Sequence, residues 1–132
     1  MKKTGNKILL DTSIIIEIIS GNKNVADKIG AYENIYINTV ALGELYTGIY
    51  RVVSKTKQLN QIKDLIELCE ILIIDEKTSD IYGNLQASLY KKGRPLPTND
   101  IWIAATAKQY DIPIATNDKH FLSIDQITVK MI

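Results

Sequence analysis

Short β-branched runs alternate with helix-spaced apolar positions along this chain. That alternation points to an α/β domain built on a mostly parallel sheet. The strand candidates are Ile8–Asp11, Ile35–Asn38, Ile71–Ile74, Ile114–Thr116 and Thr128–Lys130, four or five strands in all. Between them, Leu59, Ile62, Leu65, Ile66 and Cys69 recur at the spacing of one helix face, as do Ile81, Leu85 and Leu89. The segment Ile101–Tyr110 carries Ala104, Ala105 and Ala107, small residues that let a helix lie close on a sheet, and is expected to be buried. Two of the three prolines and Gly93 fall in Lys91–Thr98, which reads as a break between helices within one domain spanning residues 1–132.

Composition supports one real core. At 132 residues with 45% hydrophobic content, folding removes roughly two thirds of the unfolded chain's surface from water without needing disulfides or a structural metal. Sixteen basic against fifteen acidic residues give a formal net charge of +1, which excludes a generic polycation that coats nucleic acid by bulk charge. The single cysteine, Cys69, has no internal disulfide partner, and with one histidine no Cys/His zinc site can be assembled; a reducing cytoplasm fits. Met1–Lys7 is basic and precedes an apolar run, as in a leader peptide, but Asp11, Thr12, Ser13 and Glu17 interrupt that run. No apolar stretch nears the roughly 20 residues that span a bilayer, so neither export nor membrane insertion is expected.

Four acids fall where the predicted structure changes state. Asp11 ends the first strand, Glu44 sits in the helix after the second, Asp100 opens the alanine-rich helix and Asp118 follows a late strand. In a parallel α/β sheet, ligands bind beyond the carboxyl ends of the strands, where Asp11 and Asp118 lie. Singly, each acid has a plainer role. Asp11 can cap the next helix, Glu44 can be a solvated helix residue, Asp100 can complement a helix dipole and Asp118 can make a turn. The functional argument rests on the set.

That set resembles a known family. Leu10-Asp11-Thr12-Ser13, Glu44-Leu45 with Gly48, Pro97-Thr98-Asn99-Asp100-Ile101-Trp102-Ile103-Ala104-Ala105 and Thr116-Asn117-Asp118-Lys119-His120-Phe121 together resemble the PIN domain, and more narrowly the VapC-type ribonuclease toxins of toxin-antitoxin pairs. The resemblance implies a three-layer α/β/α sandwich around a mostly parallel sheet, with Asp11, Glu44, Asp100 and Asp118 as a catalytic, metal-binding quartet. Thr12, Ser13 and Thr116 would be supporting hydroxyls, and Asn99 and Asn117 supporting polar groups. It further implies an RNA substrate cut to leave a 5′-phosphate and a 3′-hydroxyl, a homodimer, and a cognate antitoxin lying along a groove. Some relatives carry a further acid two residues after the last Asp; this chain has His120 there, a departure that bears on a second metal ion.

The residues themselves support metal chemistry. Four ionised carboxylates in one pocket repel unless cations neutralise them, and an oxygen-rich donor set favours one or two Mg²⁺ or Mn²⁺ ions. Such ions activate water and stabilise the leaving oxygen of an in-line displacement at phosphorus. Arg51, Lys91, Lys92 and Arg94, with Lys55 and Lys57, are candidate RNA-backbone contacts, or else solvated charges near helix ends. Tyr46, Tyr50 and Trp102 can stack on bases, though packing accounts for them too, and His120 reads as a turn or supporting residue. The helix Ile14–Ile19 has apolar residues on more than one face, one for the domain and one for a partner, unless it is wholly buried. Two rivals stand beside the nuclease. An Asp-dependent phosphotransfer enzyme wants either a second Asp where Ser13 stands or an early acidic pair that is missing. A non-catalytic RNA- or protein-binding module would be expected to have lost one of the four acids.

Overall fold

The computed structural model describes residues 6–132. Most of the basic start weighed above as a leader lies outside them. The order of elements is β1 (Lys7–Leu10), α1 (Thr12–Ile19), α2 (Lys23–Gly30), β2 (Asn34–Asn38), α3 (Thr39–Tyr50), α4 (Thr56–Leu68), β3 (Glu70–Leu72), α5 (Glu76–Lys91), α6 (Thr98–Tyr110), β4 (Ile114–Thr116), a 3-10 turn (Lys119–Ser123) and β5 (Val129–Met131). Five strands pair in the order β3-β2-β1-β4-β5, every pair parallel. The predicted strands are therefore all present. Their limits shift by a residue or two, because Asp11 leaves the ladder to cap α1 and Ile73, 62% exposed, falls outside β3.

From β1 the chain moves to β2 and β3 on one side; it then returns across the sheet to β4 and β5 on the other. Right-handed crossovers place α1–α4 on one face and α5–α6 on the opposite face, giving three layers. The sheet's direction of growth reverses between β1 and β4. That reversal opens a crevice at their carboxyl ends.

The centre of the sheet is the core. Ile8, Leu9, Leu10, Ile37, Ile114 and Ala115 are fully buried, as befits parallel strands covered on both faces. Helix α6 buries Ile101, Ile103, Ala104, Ala105, Thr106 and Ala107, so the alanine-rich segment is as enclosed as its composition predicts. Helix α1 turns Ile14 and Ile15 inward while Ile16 stays 51% exposed, so that helix is not wholly buried in its own domain.

Candidate active site

The crevice collects the acids because four elements meet there. Asp11 follows β1 and Asp118 follows β4, the two strands on either side of the reversal. Helix α3 starts at the carboxyl end of β2 and carries Glu44 in its second turn. Helix α6 runs back toward β4, so its first turn, with Asp100, starts at the same end of the sheet.

Asp11 is 4% exposed. Its Oδ1 accepts from the Ser13 backbone N–H at 2.6 Å, and its Oδ2 accepts from the Ser13 hydroxyl at 3.0 Å and from the Thr116 hydroxyl. The plain capping role and the site role are thus the same geometry: the bonds that start α1 also pin the carboxylate. Burial raises its pKa above the usual aspartate value even against these hydrogen bonds, and Asp118 adds to the rise. Thr116 is fully buried and serves twice, since its Oγ1 also accepts from the Asp118 backbone N–H at 2.9 Å. Glu44 Oε1 accepts from the Thr12 hydroxyl at 2.8 Å, tying α3 to the start of α1. Asp118 Oδ1 accepts from the His120 backbone N–H at 2.9 Å, and the His120 Nδ1 lies 3.3 Å from the same oxygen.

Asp100 reports the crowding most clearly. Its pKa is pushed up to about 6, first by burial and then by the negative charges of Asp118, Asp11 and Glu44, with His120 opposing. All three other members of the quartet act on one carboxyl, so the four acids share one electrostatic neighbourhood. A cation relieves that repulsion. Ligand atoms of Asp100, Asp118 and His120 lie within 4.8 Å of one another, the one such cluster of potential ligands among the described residues. Carboxylates with a single imidazole and no thiolate suit a hard or borderline divalent ion, so the residues present fit a metal.

A matching family model covers residues 8–127 under the description PIN domain. The chain belongs to the PIN domain family. Among relatives of this PIN domain, the chain is 34% identical to the ribonuclease VapC of Rickettsia bellii (strain RML369-C), over 92% of this chain and 93% of that one. It is 32% identical to ribonuclease VapC1 of Methanocaldococcus jannaschii, over 99% and 90%. Of solved structures, FitAcB from Neisseria gonorrhoeae matches with a TM-score of 0.82 and 28% identity, covering 94% of this chain and 96% of that one. VapBC2 from Rickettsia felis bound to a promoter DNA fragment matches with a TM-score of 0.84, covering 94% and 97%; at 23% identity it speaks for the fold.

Within the PIN domain the supporting residues divide. Thr12, Ser13 and Thr116 bond directly to site carboxylates. Asn117 is exposed and enters through its backbone N–H, 3.4 Å from the Ser13 hydroxyl. Asn99 is exposed on the first turn of α6, with no side-chain hydrogen bond to the acids among the described residues. Of the basic candidates, Lys92 pairs with Asp125 at 2.8 Å, and Lys92 and Arg94 together hold the Asp125 carboxyl below its usual range. Lys91 and Arg51 are exposed at the ends of α5 and α3. Tyr46 stacks near Tyr50 at 6.2 Å between centroids, and Trp102 stacks on Tyr82 at 3.9 Å, so these rings have partners within the fold.

Two features escaped sequence reasoning. His120 joins the ligand cluster, and its place two residues after Asp118 was the available signal for a nitrogen donor beside the acids. The second is a buried pair: Asn38 caps α3 by accepting from the Ala41 N–H at 2.8 Å and donates to the Thr106 hydroxyl at 3.1 Å, both side chains fully buried. Asn38 stands six residues before Glu44 and Thr106 six residues after Asp100, so this bond fixes α3 against α6. Capping propensity was the available signal for Asn38; its partner, 68 residues away, left none.

Proposed function

We propose that this chain is a metal-dependent endoribonuclease: a single PIN-like nuclease domain that acts in the cytoplasm as the toxin of a VapBC-type pair. The observation that carries the reading is the meeting of Asp100, Asp118 and His120, whose ligand atoms lie within 4.8 Å of one another in the crevice where the charges of Asp11 and Glu44 also act on Asp100. Asp11, Glu44, Asp100 and Asp118 would hold one or two Mg²⁺ or Mn²⁺ ions; of the two acids expected as principal ligands, Asp100 stands with Asp118 in the ligand cluster, whereas Asp11 is outside it and borders the ion's site. When bound, such an ion supplies positive charge to the scissile phosphate and to the attacking water.

The chain's own residues prepare that site. Ser13 and Thr116 fix both oxygens of Asp11, so its carboxylate is presented without reorganisation. Thr12 holds Glu44 in place across the α1–α3 contact. Asp100 must be ionised to serve, so protons compete with the ion for its carboxylate, the more so because burial and its acidic neighbours raise its pKa. Arg51, Lys91, Lys92 and Arg94 meet the RNA backbone, and Lys92 exchanges Asp125 for phosphate when it does so. Cleavage leaves a 5′-phosphate and a 3′-hydroxyl.

A VapBC-5 structure similar to this chain is described as a member of the VapBC family of toxin-antitoxin systems, and a relative is named toxin FitB; both support a cognate antitoxin here. A groove of about 200 Å³ lined by Ile16, Ile19, Leu45, Gly48, Ile49 and Ile62 has Glu44 on its wall, so an antitoxin segment lying in it reaches the acidic site. The working unit is a homodimer. No helix among the described residues is long and apolar enough to cross a membrane.

The test is cleavage of a mixed RNA substrate with Mg²⁺ or Mn²⁺ by the wild-type chain and by Asp100→Asn. Metal-requiring cleavage with 5′-phosphate ends, lost in Asp100→Asn at unchanged circular dichroism, is the expected result. Equal cleavage in excess EDTA refutes the reading.

A further inference from the structure

We infer that His120 is itself a ligand to the ion held by Asp100 and Asp118, and that it biases the site away from Mg²⁺ toward first-row transition ions such as Mn²⁺ and Co²⁺. The inference rests on the metal-dependent reading above and adds to it a nitrogen donor.

Geometry carries the argument. With metal–ligand bonds of about 2.2 Å, adjacent corners of an octahedron lie about 3.1 Å apart and opposite corners about 4.4 Å apart. The His120 Nδ1 stands 3.3 Å from Asp118 Oδ1, close to an adjacent pair, and the three candidate ligand atoms all fall within 4.8 Å. Local structure enforces this proximity. Asp118 caps the 3-10 turn by accepting from the His120 backbone N–H at 2.9 Å, so the turn that ends the crevice carries the imidazole back beside the carboxylate.

The imidazole is not committed elsewhere. Its side chain is 60% exposed, and an ion pair with a carboxylate at that exposure is worth little in water. It is free to exchange the carboxylate contact for a cation between the two groups. Imidazole is a softer donor than carboxylate, and affinity for nitrogen-containing sites rises from Mn²⁺ to Co²⁺, whereas Mg²⁺ prefers oxygen. A nitrogen in this position therefore changes which ion is preferred, as well as how tightly it is held.

His120 is the only histidine in the chain, which makes the test clean. Tag-free protein is loaded with Mn²⁺ and its electron spin echo modulation recorded, with calorimetric titration of Mn²⁺, Co²⁺ and Mg²⁺ into wild type, His120→Ala, His120→Asp and Asp100→Asn. The expected result is a nitrogen coupling in wild type that vanishes in both His120 variants. In His120→Ala, Mn²⁺ and Co²⁺ should bind at least about tenfold more weakly, the low end of what even an outer-shell loss costs, with a smaller change for Mg²⁺. In His120→Asp, Mg²⁺ should bind at least as well as in wild type. Mn²⁺ binding that Asp100→Asn abolishes, yet with no nitrogen coupling, overturns the role of His120 and leaves the metal site standing. No ion binding sensitive to Asp100→Asn overturns both.

Discussion

Replacing Asp100 with Asn should stabilise the metal-free protein at neutral pH while destroying its function. Burial and the charges of Asp118, Asp11 and Glu44 lift the Asp100 pKa from 3.8 to about 6, against the opposing pull of His120. A raised acid pKa means the folded state favours the protonated form. The favourable contribution is full below 3.8 and is lost as pH rises through about 6, where the carboxyl ionises. At 1.36 kcal/mol per unit, a shift of about two units has a ceiling of about 3 kcal/mol, which partial solvent exposure reduces to about 1.5 kcal/mol. For a domain of 132 residues, an unfolding entropy near 2.1 cal/mol/K per residue converts that to a Tm difference of about 5 °C. Scanning calorimetry in EDTA at pH 7.5 should therefore find Asp100→Asn about 5 °C above wild type. At pH 5, midway between the two pKa values, the gap should fall by about half. Saturating Mn²⁺ should reverse the order, because only wild type gains binding energy. An Asn variant less stable than wild type in EDTA, or a gap unchanged between pH 7.5 and pH 5, refutes the claim that these acids are crowded against one another.

Excess EDTA should abolish RNA cleavage, with added Mn²⁺ restoring it, as followed by gel electrophoresis of a labelled transcript. Thr106→Val strands the buried Asn38 amide, at a cost of about 1–3 kcal/mol, so denaturant unfolding should show that loss together with weaker Mn²⁺ binding; Thr106→Ser, which keeps the hydroxyl, should restore both. Ile16→Glu places a charge in the groove beside Glu44 at an exposed position. The ratio of RNA cleavage without and with the cognate antitoxin should fall toward one, while Tm should move by no more than a few degrees. Thr116→Val removes a bond to Asp11 and one from the Asp118 backbone, so kcat should fall more than KM rises in steady-state kinetics.

The central strands were legible because each is a short apolar run whose burial on both faces leaves few polar residues in it, while the edge strands β3 and β5 showed through their β-branched residues alone. Ile8, Ile37 and Ile114 announce themselves in that way. The acids were legible for a complementary reason: Asp11 and Asp118 stand where strands end and Asp100 in the first turn of a helix, positions that a parallel sheet gathers at one rim, and Glu44 lies one turn into the helix that follows β2. Helix α2 and the 3-10 turn escaped, since α2 has only Val25 and Ile29 buried and the turn only Phe121, too few for a period to be read. Lys92 looked like a free cation beside a proline-rich break; its partner Asp125 is 33 residues away, and only the folded chain brings the two together.

The same division explains why the site can be found in the sequence while its precision cannot. Charge is a property of a residue, so four acids at or near element boundaries are visible one by one. Orientation is a property of pairs. Asp11 depends on Thr116 across 105 residues, Glu44 on Thr12 across 32, and the seating of α3 on α6 depends on Asn38 and Thr106 across 68. Each of these partners is a small hydroxyl or amide with an ordinary local setting, Asn38 as a cap, Thr12 at a helix start, Thr116 at a strand end and Thr106 within a helix, and nothing nearby marks it as one half of a contact. The geometry of these acids is therefore held by residues that read as structural. Their loss should disorder the acids without removing any of them, and metal affinity should fall although every carboxylate is still present in the chain.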